Sequence, residues 1–431
     1  MKNQDTYQSL PLLQNAEITD KVVLVRVDHN VVKNGKILDP YRIDATLGTL
    51  YTIAERGGRA ILMTHVGRPR DKKTGRITVD DATSVQPIVD YLEHKLFTRF
   101  VIPEFLIHPE WGIREIDTLI DRYIEKLRHR QIGGIYLPNI RWFEGEEASD
   151  IKREQLGHQL AGLADIFVND AFGSWQNHVS TCEVAKYLPG FAGPLMQKEL
   201  SNLKRILDPE RPLIAVIAGS KLDTKIGTLK EIYKKVDNLI LGGVIYNAFL
   251  CAKYNVSAMG VSETDINSAK ELVAEDSQSK KIIEPTFLIE SETNKGRIEG
   301  KYRTISVKDF KAGNSYGYFL DVAPESFNAP EVLEAINSAR TIFVNAVMGL
   351  TPHFFEGSRQ LNLTIDNNRE AYKLYGGGDT LQEFRNLNPG LYLDAIENPR
   401  YYFFTGGGAV LKVIEEDSPY GLDPVKALMK D

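Results

Sequence analysis

Short runs of apolar residues alternate with amphipathic stretches along the first half of the chain. The apolar runs are rich in β-branched and large side chains and lie beside turn or polar residues, which is typical of strands buried on both faces. They are VVLVRV at 22–27, AILMTHV at 60–66, GIYLPNI at 134–140 and DIFVNDAF at 165–172. Between them, residues 44–58 and 84–96 have the apolar period of a helix. Such alternation predicts an α/β domain with a parallel sheet.

The pattern restarts after a break that is rich in proline and glycine. Residues 188–207 begin with LPGFAGP and continue as a predicted helix. A second series of strands is predicted at 212–219, 238–243, 316–322, 341–347 and 401–407. The hydrophilic residues 291–303 predict an exposed turn or hairpin. We therefore predict an α/β fold with two Rossmann-like domains, each with a parallel sheet, joined by a helix and hinge.

Composition excludes several classes of protein. The 431 residues are 42% hydrophobic and 26% charged, with a formal net charge of −6, so nothing global favours nucleic acid or an anionic membrane as a partner. No apolar run approaches the roughly 20 residues of a membrane-spanning helix. The two cysteines lack a metal-binding spacing, and the N-terminus lacks a signal-peptide pattern. We expect a cytoplasmic protein that is a monomer.

Three glycine clusters follow apolar runs in the second half. Glycine lets backbone N–H groups approach an anion closely, and a helix N-terminus adds a favourable partial charge. The clusters are AGSK at 218–221, YGGGDT at 375–380 and FTGGGAV at 404–410. One cluster alone is as consistent with a tight turn as with a ligand, but three in one domain favour a nucleotide site. None has the P-loop spacing, so the phosphate site is of another kind.

Charged residues follow two of these clusters. Asp379 comes directly after three glycines, where a carboxylate can hold Mg²⁺ beside phosphates or, equally, cap a helix. Lys221 and Lys225 are four residues apart and would share one face of a helix. Two lysines there oppose the helix dipole and can be surface residues. Their position after a glycine turn nevertheless favours a polyphosphate ligand.

Basic and polar residues follow the predicted strands of the first domain. Each alone is typical of a surface charge or a structural ion pair. Because ligands of open α/β sheets bind beyond the carboxyl ends of strands, together they predict a basic bowl for a small phosphorylated carboxylate. The residues are Asp28, Asn30, Arg42, His65, Arg68, Arg70 and Arg141.

These stretches resemble the phosphoglycerate kinases along nearly the whole chain. The matching segments, in the family's order and spacing, are VLVRVDHNVVKNGKILDPYRIDA, LMTHVGRPRD, LPNIRWFEGEE, FVNDAFG, LMQKELSNL, AGSKLDTKIGTL, LDVAPES, YGGGDT and FTGGGAVLKVIE. The resemblance implies Mg²⁺-dependent, reversible phosphoryl transfer between 1,3-bisphosphoglycerate and ADP, giving 3-phosphoglycerate and ATP in glycolysis. It implies an acid-binding domain, a hinge helix, a nucleotide domain and a returning C-terminal segment, at 1–187, 188–207, 208–412 and 413–431.

The resemblance also implies roles for individual residues. Arg42 and Lys221 would stabilise the transferring phosphoryl group from the acid and nucleotide sides, and Lys225 would assist. The acid would contact Asp28, Asn30, Arg42, His65, Arg68 and Arg141. The nucleotide phosphates would contact Gly219, Lys225, Asn345, Gly376, Gly377, Gly378, Asp379, Thr380, Gly406, Gly407 and Gly408, with Asp379 on the metal.

The chain departs from the family's pattern at the acid site. The family follows NDAFG with a segment that contains His-Arg, and that arginine helps to hold the phosphorylated acid. Here Gln176 and Asn177 occupy those places, and His178 follows. The loss of a charge-assisted contact is expected to cost about 1.5–3 kcal/mol of binding free energy. We expect Arg70 or His178 to compensate.

A second departure concerns the nucleotide. Ala346 and Val347 replace the family's Gly-Pro, and Pro352 lies where the family has a glutamate that binds the ribose. The loop is about two residues shorter than the family's, and Glu356 lies further along the chain than that glutamate. These changes fall where the family binds the nucleotide, so they bear on nucleotide affinity and on base preference.

Two alternatives to an ordinary phosphoglycerate kinase stay open. One is a related kinase that forms an acyl phosphate on a different small carboxylate. The other is a catalytically inactive nucleotide-binding scaffold of the same fold. We favour a working kinase, because an inactive relic has no obvious physical need to keep the charged residues predicted for phosphoryl transfer, which are Arg42, Lys221, Lys225 and Asp379.

Overall fold

The chain folds into two compact units. A computed structural model describes residues 10–220 and 226–429. One unit contains the described residues up to Ser201 and those from Tyr420 onward, and the other is Asn202–Pro419. Both units combine parallel strands with helices, so the predicted α/β class is confirmed.

The boundary between the units falls inside one helix. It begins at Pro194, where a proline is tolerated because the first N–H groups of a helix have no partner within it, and it ends at Leu207. Leu200 and Leu203 are among its buried residues, three apart as on one helix face. The domain limits implied by the family resemblance stay predictions, as does the hinge.

The first unit contains ten described strands and, up to its boundary with the second unit, six α-helices. The strands are β1 (Val22–Arg26), β2 (Val32–Lys33), β3 (Lys36–Ile37), β4 (Arg59–Met63), β5 (Phe100–Val101), β6 (Ile107–His108), β7 (Gly112–Ile113), β8 (Gly134–Tyr136), β9 (Ile166–Asn169) and β10 (Gly190–Ala192). The helices are α1 (Tyr41–Ala45), α2 (Leu47–Glu55), α3 (Gln86–Leu96), α4 (Ile120–Arg128), α5 (Ile151–Ala161) and the boundary helix α6 (Pro194–Leu207).

Six of these strands form a parallel sheet in the order β10-β9-β1-β4-β8-β5. The central strands β1 and β9 are buried at every position. A sheet whose strands are buried on both faces needs continuous apolar runs, which is the pattern that predicted it. The pairs β2–β3 and β6–β7 form two short antiparallel ribbons.

The strands β4, β8 and β9 end earlier than predicted. Their last residues are Met63, Tyr136 and Asn169, three or four positions before the predicted ends. Beyond these ends, polar side chains also bond to loops. Asn139, for example, donates to the carbonyl of Val66 at 2.7 Å and accepts from its N–H at 3.1 Å. These loops form the edge of the sheet at which ligands of open α/β folds bind.

The second unit contains the remaining described elements apart from a short C-terminal helix. Its strands are β11 (Leu213–Gly219), β12 (Asn238–Gly242), β13 (Ser257–Met259), β14 (Ile282–Ile283), β15 (Phe287–Ser291), β16 (Tyr302–Ser306), β17 (Ser315–Val322), β18 (Thr341–Asn345), β19 (Tyr372–Gly376) and β20 (Tyr401–Phe404). Its helices are α7 (Ile226–Lys235), α8 (Gly243–Tyr254), α9 (Glu263–Ser279), α10 (Pro330–Ser338), α11 (Glu356–Asn367), α12 (Gly378–Leu387), α13 (Pro389–Glu397) and α14 (Gly407–Glu416). The C-terminal helix α15 (Asp423–Leu428) belongs to the first unit.

The second unit has a six-stranded parallel sheet in the order β14-β12-β11-β18-β19-β20. A smaller mixed sheet has the order β13-β17-β15-β16, and its strands come between β12 and β18 in the sequence. The predicted strand at 316–322 belongs to this smaller sheet, because β17 pairs antiparallel with β15. The hydrophilic stretch 291–303, predicted as an exposed turn or hairpin, forms a hairpin in which residues 292–301 connect β15 to β16. No helix among the described residues is long and apolar enough to cross a membrane.

Candidate active site

A basic pocket opens at the carboxyl ends of β1, β4 and β8 in the first unit. It has a volume of about 510 Å³, and Glu147 is the one acidic side chain among the described residues that line it. Five cationic side chains line the same wall, those of Arg26, Arg68, Arg70, Lys72 and Arg141. The excess of positive charge suits an anion that carries several oxygen atoms.

The predicted acid-binding residues fall into two groups. Four of them line the pocket, namely Asn30, His65, Arg68 and Arg141. The other two, Asp28 and Arg42, form an ion pair at 3.2 Å outside the pocket wall. Arg42 lies in the first turn of α1 and is partly exposed, whereas Asp28 is buried, and its Oδ1 has no hydrogen-bond partner among the described residues.

The loop after β4 is fixed from two sides. Asn30 accepts a hydrogen bond from the N–H of Gly67 at 2.9 Å, and Arg141 donates to the carbonyl of Gly67 at 2.7 Å. Gly67 has φ +62°, a conformation that favours glycine. These bonds hold the backbone from which Arg68 extends, so Asn30 and Arg141 position a third predicted residue as well as lining the pocket.

Arg26, which the sequence analysis did not single out, lies at the inner end of the pocket. It is the last residue of β1 and is 1% exposed. Its Nε donates to Ser180 Oγ at 2.8 Å, and that hydroxyl donates to Glu146 at 2.6 Å. The signal was an arginine inside an apolar run, because a charge in a fully buried strand needs a partner or a ligand.

The neutral state of His65 follows from the same network. Arg26 Nη2 lies 3.0 Å from His65 Nδ1. Because a guanidinium only donates, Nδ1 must accept, and the proton of the neutral ring is then on Nε2. Burial, followed by the nearby Arg26, holds the pKa of His65 well below its usual value. His65 therefore offers the pocket a neutral hydrogen-bond donor near pH 7.

Glu146 gives the stability of the first unit a dependence on pH. Burial raises the pKa of Glu146 from 4.5 to about 7 and outweighs the opposing effect of Arg26. The folded state therefore binds this proton more tightly than the unfolded state. The contribution to stability is complete below about pH 4.5 and is lost as the pH rises through 7.

The variant Glu146→Gln tests this dependence. When the pH is raised from 5 to 8, we expect the free energy of unfolding of the unaltered chain to fall by roughly 2–3 kcal/mol relative to that of Glu146→Gln. Urea unfolding at both pH values measures the change. If the two chains differed in unfolding free energy by the same amount at both pH values, the raised pKa of Glu146 would be contradicted.

The side chains of the segment that departs from the family pattern have two different environments. Asn177 accepts a hydrogen bond from Arg153 Nη2 at 2.6 Å, and its carbonyl accepts from Nη1 at 3.1 Å. Its side chain is therefore engaged with Arg153, whereas Gln176 and His178 line the basic pocket. Burial, followed by Arg141, lowers the pKa of His178 to about 4. His178 is thus neutral near pH 7 and does not supply the missing charge there.

A second pocket, of about 570 Å³, lies at the carboxyl ends of β11, β18 and β19 in the second unit. Glycine turns form part of its wall at Gly219, Gly377 and Gly378, together with Asp379 and Thr380. Apolar side chains form another part, those of Val244, Phe319, Leu320, Val347, Met348 and Leu350. A wall with exposed backbone N–H groups and an apolar surface suits a phosphorylated ligand with a flat ring.

Glycine is required at Gly377 by both conformation and space. The residue has φ +113°, and a Cβ there would lie 2.7 Å from Asn345 Nδ2. Asn345 donates to the carbonyl of Gly376 at 2.6 Å and so closes the turn between β19 and α12. Asp379 follows in the first turn of α12, where it is exposed, and Thr380 is buried.

The third glycine cluster has a different environment. Residues 406–408 do not line the second pocket as the structure describes it. A Cβ at Gly407 would lie 2.4 Å from the Cα of Gly377, so this glycine allows two turns to pack together. The predicted Lys221 and Lys225 lie outside the described residues, and they follow Ser220, which does line the pocket.

The loop with the second departure also forms part of this pocket. Ala346, Val347 and Thr351 line it, but Pro352 does not. Glu356 forms an ion pair with Arg297, so its carboxylate is engaged elsewhere.

The sequence matches those of known proteins over most of its length. The family model described as phosphoglycerate kinase matches residues 13–417. The chain belongs to the phosphoglycerate kinase family. It is 32% identical over 410 residues to the phosphoglycerate kinase of Dictyoglomus turgidum, covering 94% of this chain and 95% of that protein. The phosphoglycerate kinase of Baumannia cicadellinicola is 34% identical over 415 residues, with 94% of both chains covered.

Solved phosphoglycerate kinase structures have the same fold. The enzyme of Coxiella burnetii aligns with a TM-score of 0.74 at 27% identity, covering 97% of this chain and 98% of that chain. The enzyme of Pyrococcus horikoshii aligns with a TM-score of 0.76 at 22% identity and the same coverage, which supports the fold alone. The two pockets therefore lie in a phosphoglycerate kinase fold that extends over nearly the entire chain.

Proposed function

We propose that this chain is a working phosphoglycerate kinase. It transfers a phosphoryl group reversibly between 1,3-bisphosphoglycerate and ADP, giving 3-phosphoglycerate and ATP. The observation that carries the proposal is the basic pocket at the sheet edge of the first unit, where five cationic side chains accompany one carboxylate. The glycine-lined pocket of the second unit supplies the matching nucleotide site.

The acid would bind through its two anionic groups. Arg68, Arg141 and Asn30 line the pocket and offer donors that suit carboxylate and phosphate oxygens. His65 adds a neutral N–H, and Arg42, held by Asp28, would stabilise the charge of the transferring group. Phosphoryl transfer depends chiefly on positioning and on charge stabilisation. The attacking carboxylate is already ionised near neutral pH, so no general base is required.

The nucleotide phosphates would bind at the glycine turns of the second unit. Backbone N–H groups near Gly219 and the N-terminus of α12 favour anions. The predicted contacts at Asn345, Thr380 and residues 376–378 and 406–408 belong to this proposal, as do the contacts at Lys221 and Lys225.

Asp379 would hold a Mg²⁺ ion beside the nucleotide phosphates. It is exposed beside the glycine turn, and no group of three or more His, Cys, Asp or Glu side chains among the described residues forms a metal cage. Mg²⁺ is commonly bound in this way, by one or two carboxylates together with phosphate oxygens. When bound, the ion would neutralise phosphate charge during transfer.

A substitution at Asp379 tests this assignment. We expect Asp379→Asn to raise the Mg²⁺ concentration needed for half-maximal activity about tenfold, because an amide carries no charge for the ion. Asp394→Asn, which alters an exposed carboxylate on α13, is the matched control and should leave the requirement unchanged. Equal Mg²⁺ requirements in the two variants would remove Asp379 from the metal site.

The identity of the acid is tested by comparing substrates. Steady-state rates with ATP are measured for 3-phosphoglycerate, for glycerate and for other small carboxylates with and without a phosphate. We expect the highest kcat/KM for 3-phosphoglycerate, because the basic pocket suits two anionic groups. A higher value for another acid would favour the related kinase, for which Gln176 in the pocket wall is the supporting observation. Nucleotide binding without turnover of any acid would favour the scaffold.

A further inference from the structure

The segment after β9 leaves the acid pocket short of a positive charge. Gln176 lines the pocket but is neutral, and Asn177 is bonded to Arg153. The two histidines of the pocket are neutral near pH 7, since the pKa of His178 is lowered to about 4 and that of His65 lies well below its usual value. A phosphorylated acid must therefore find its cations elsewhere on the wall.

Three of the pocket's arginines already have partners within the protein, so each has fewer donors left for the acid than an unpaired cation has. Arg26 bonds Ser180 within the buried network, at 2.8 Å. Arg70 donates to the carbonyl of Glu144 at 2.7 Å and lies 3.6 Å from Glu147. Arg141 donates to Gly67, and its Nε lies 3.1 Å from Glu147. The expectation that Arg70 compensates for the missing arginine is thus weakened by its existing partners.

Arg68 and Lys72 are the remaining cations of the pocket wall. Both are exposed, and neither forms an ion pair with a residue that the structure describes. Arg68 is a predicted acid-binding residue, whereas Lys72 has no assigned role. An unpaired ammonium group at the wall of an anion pocket is available to a ligand without breaking a bond within the protein.

The backbone that carries Lys72 is well ordered by hydrogen bonds. The Asp71 carboxylate accepts from the N–H groups of Lys73 at 2.9 Å and Thr74 at 2.8 Å. The backbone of Asp71 also bonds to Arg76 at 2.8 Å and to Gly75 at 2.9 Å, which closes the loop between two residues that form a β-bridge, Arg70 and Ile77. Lys72 thus projects from a fixed turn, so only its side chain has to be ordered by a ligand.

We propose that Lys72 binds the phosphate group of the acid and takes the place of the guanidinium that the segment after β9 lacks. The inference rests on the proposed function and deepens it. Lys72 acts as a flexible point charge, whereas an arginine at the other site would offer a planar fork. A charge-assisted hydrogen bond of this kind corresponds to about a tenfold change in affinity.

Direct binding tests the inference without relying on turnover. Trp175 lines the same pocket, so its fluorescence reports titration of the full chain with 3-phosphoglycerate or with glycerate. We expect Lys72→Ala to raise the Kd for 3-phosphoglycerate about tenfold and to leave the Kd for glycerate unchanged. Lys73→Ala, on the adjacent exposed lysine, is the matched control and should change neither. Lys72→Arg should bind nearly as well as the unaltered chain.

A rescue variant separates a ligand contact from a structural role. Gln176→Arg in the Lys72→Ala background places a cation on the segment after β9, and we expect it to recover most of the lost affinity for 3-phosphoglycerate. An unchanged Kd in Lys72→Ala, or an equal loss for glycerate and 3-phosphoglycerate, would overturn the inference while leaving the proposed function standing. Failure of the unaltered chain to bind 3-phosphoglycerate would overturn both.

Discussion

Replacement of Arg42 with methionine is expected to lower kcat/KM for 3-phosphoglycerate about 10³-fold. Arg42 lies in the first turn of α1, and Asp28 holds its guanidinium at 3.2 Å, so the group is oriented before substrate arrives. Arginines that stabilise the charge of a transferring phosphoryl group contribute about 10³ or more to the rate. The loss should appear mainly in kcat, because the contact is strongest in the transition state.

Two variants accompany this measurement. Arg42→Lys keeps the charge but loses the planar fork, and we expect it to recover only part of the rate. Arg122→Ala, on the exposed face of α4, is the control for a change of net charge and should stay within twofold of the unaltered enzyme. Circular dichroism confirms that each variant is folded at the assay temperature. A rate within tenfold of the unaltered enzyme for Arg42→Met would exclude Arg42 from the transfer step.

Replacement of Arg26 with methionine is expected to lower the free energy of unfolding by about 3–5 kcal/mol at pH 8. Arg26 and Glu146 are each 1% exposed, and Ser180 connects them by hydrogen bonds of 2.8 and 2.6 Å. Removal of one partner leaves a buried charge without compensation, which is the costly way to break such a pair. Urea unfolding, monitored by circular dichroism, measures this change in the free energy of unfolding.

The second partner provides the control for this prediction. Glu146→Gln in the Arg26→Met background removes the unpaired carboxylate, so we expect the double variant to be more stable than Arg26→Met alone. The cost of Arg26→Met should also be smaller at pH 5 than at pH 8, because Glu146, whose pKa is about 7, is then protonated. A double variant no more stable than the single one would show that the two side chains are not coupled.

Local pattern predicted the two parallel sheets well and the smaller sheet poorly. A strand buried on both faces needs a continuous apolar run, and β1, β9 and β11 have one. No range was predicted for strand β19, although the glycine cluster at 375–380 was expected to follow an apolar run, and Lys373 interrupts that run. In the structure this lysine is buried, with its Nζ 4.8 Å from the ring of Tyr401. The pairing of β17 with β15 depends on a turn and a register that period alone does not specify.

The sequence predicted those residues of the acid site that lie in loops at the carboxyl ends of strands. Asn30, His65, Arg68 and Arg141 lie in the loops that follow β1, β4 and β8, and the parallel sheet brings them to one pocket. The orientation of Asn177 could not be predicted, because it depends on Arg153, which lies 24 residues earlier on helix α5. The pairing of Arg26 with Glu146 is equally non-local. Both features require the tertiary structure.

The most direct test of the central claim is a coupled assay of the full chain with ATP, Mg²⁺ and 3-phosphoglycerate. The acyl phosphate is reduced as it forms, and oxidation of the nicotinamide cofactor reports the rate. We expect a kcat in the usual enzyme range of roughly 1–10³ s⁻¹, with Arg42→Met as the reference of low activity. A folded protein that binds ATP but turns over 3-phosphoglycerate no faster than Arg42→Met would contradict the assignment of this chain as a working phosphoglycerate kinase.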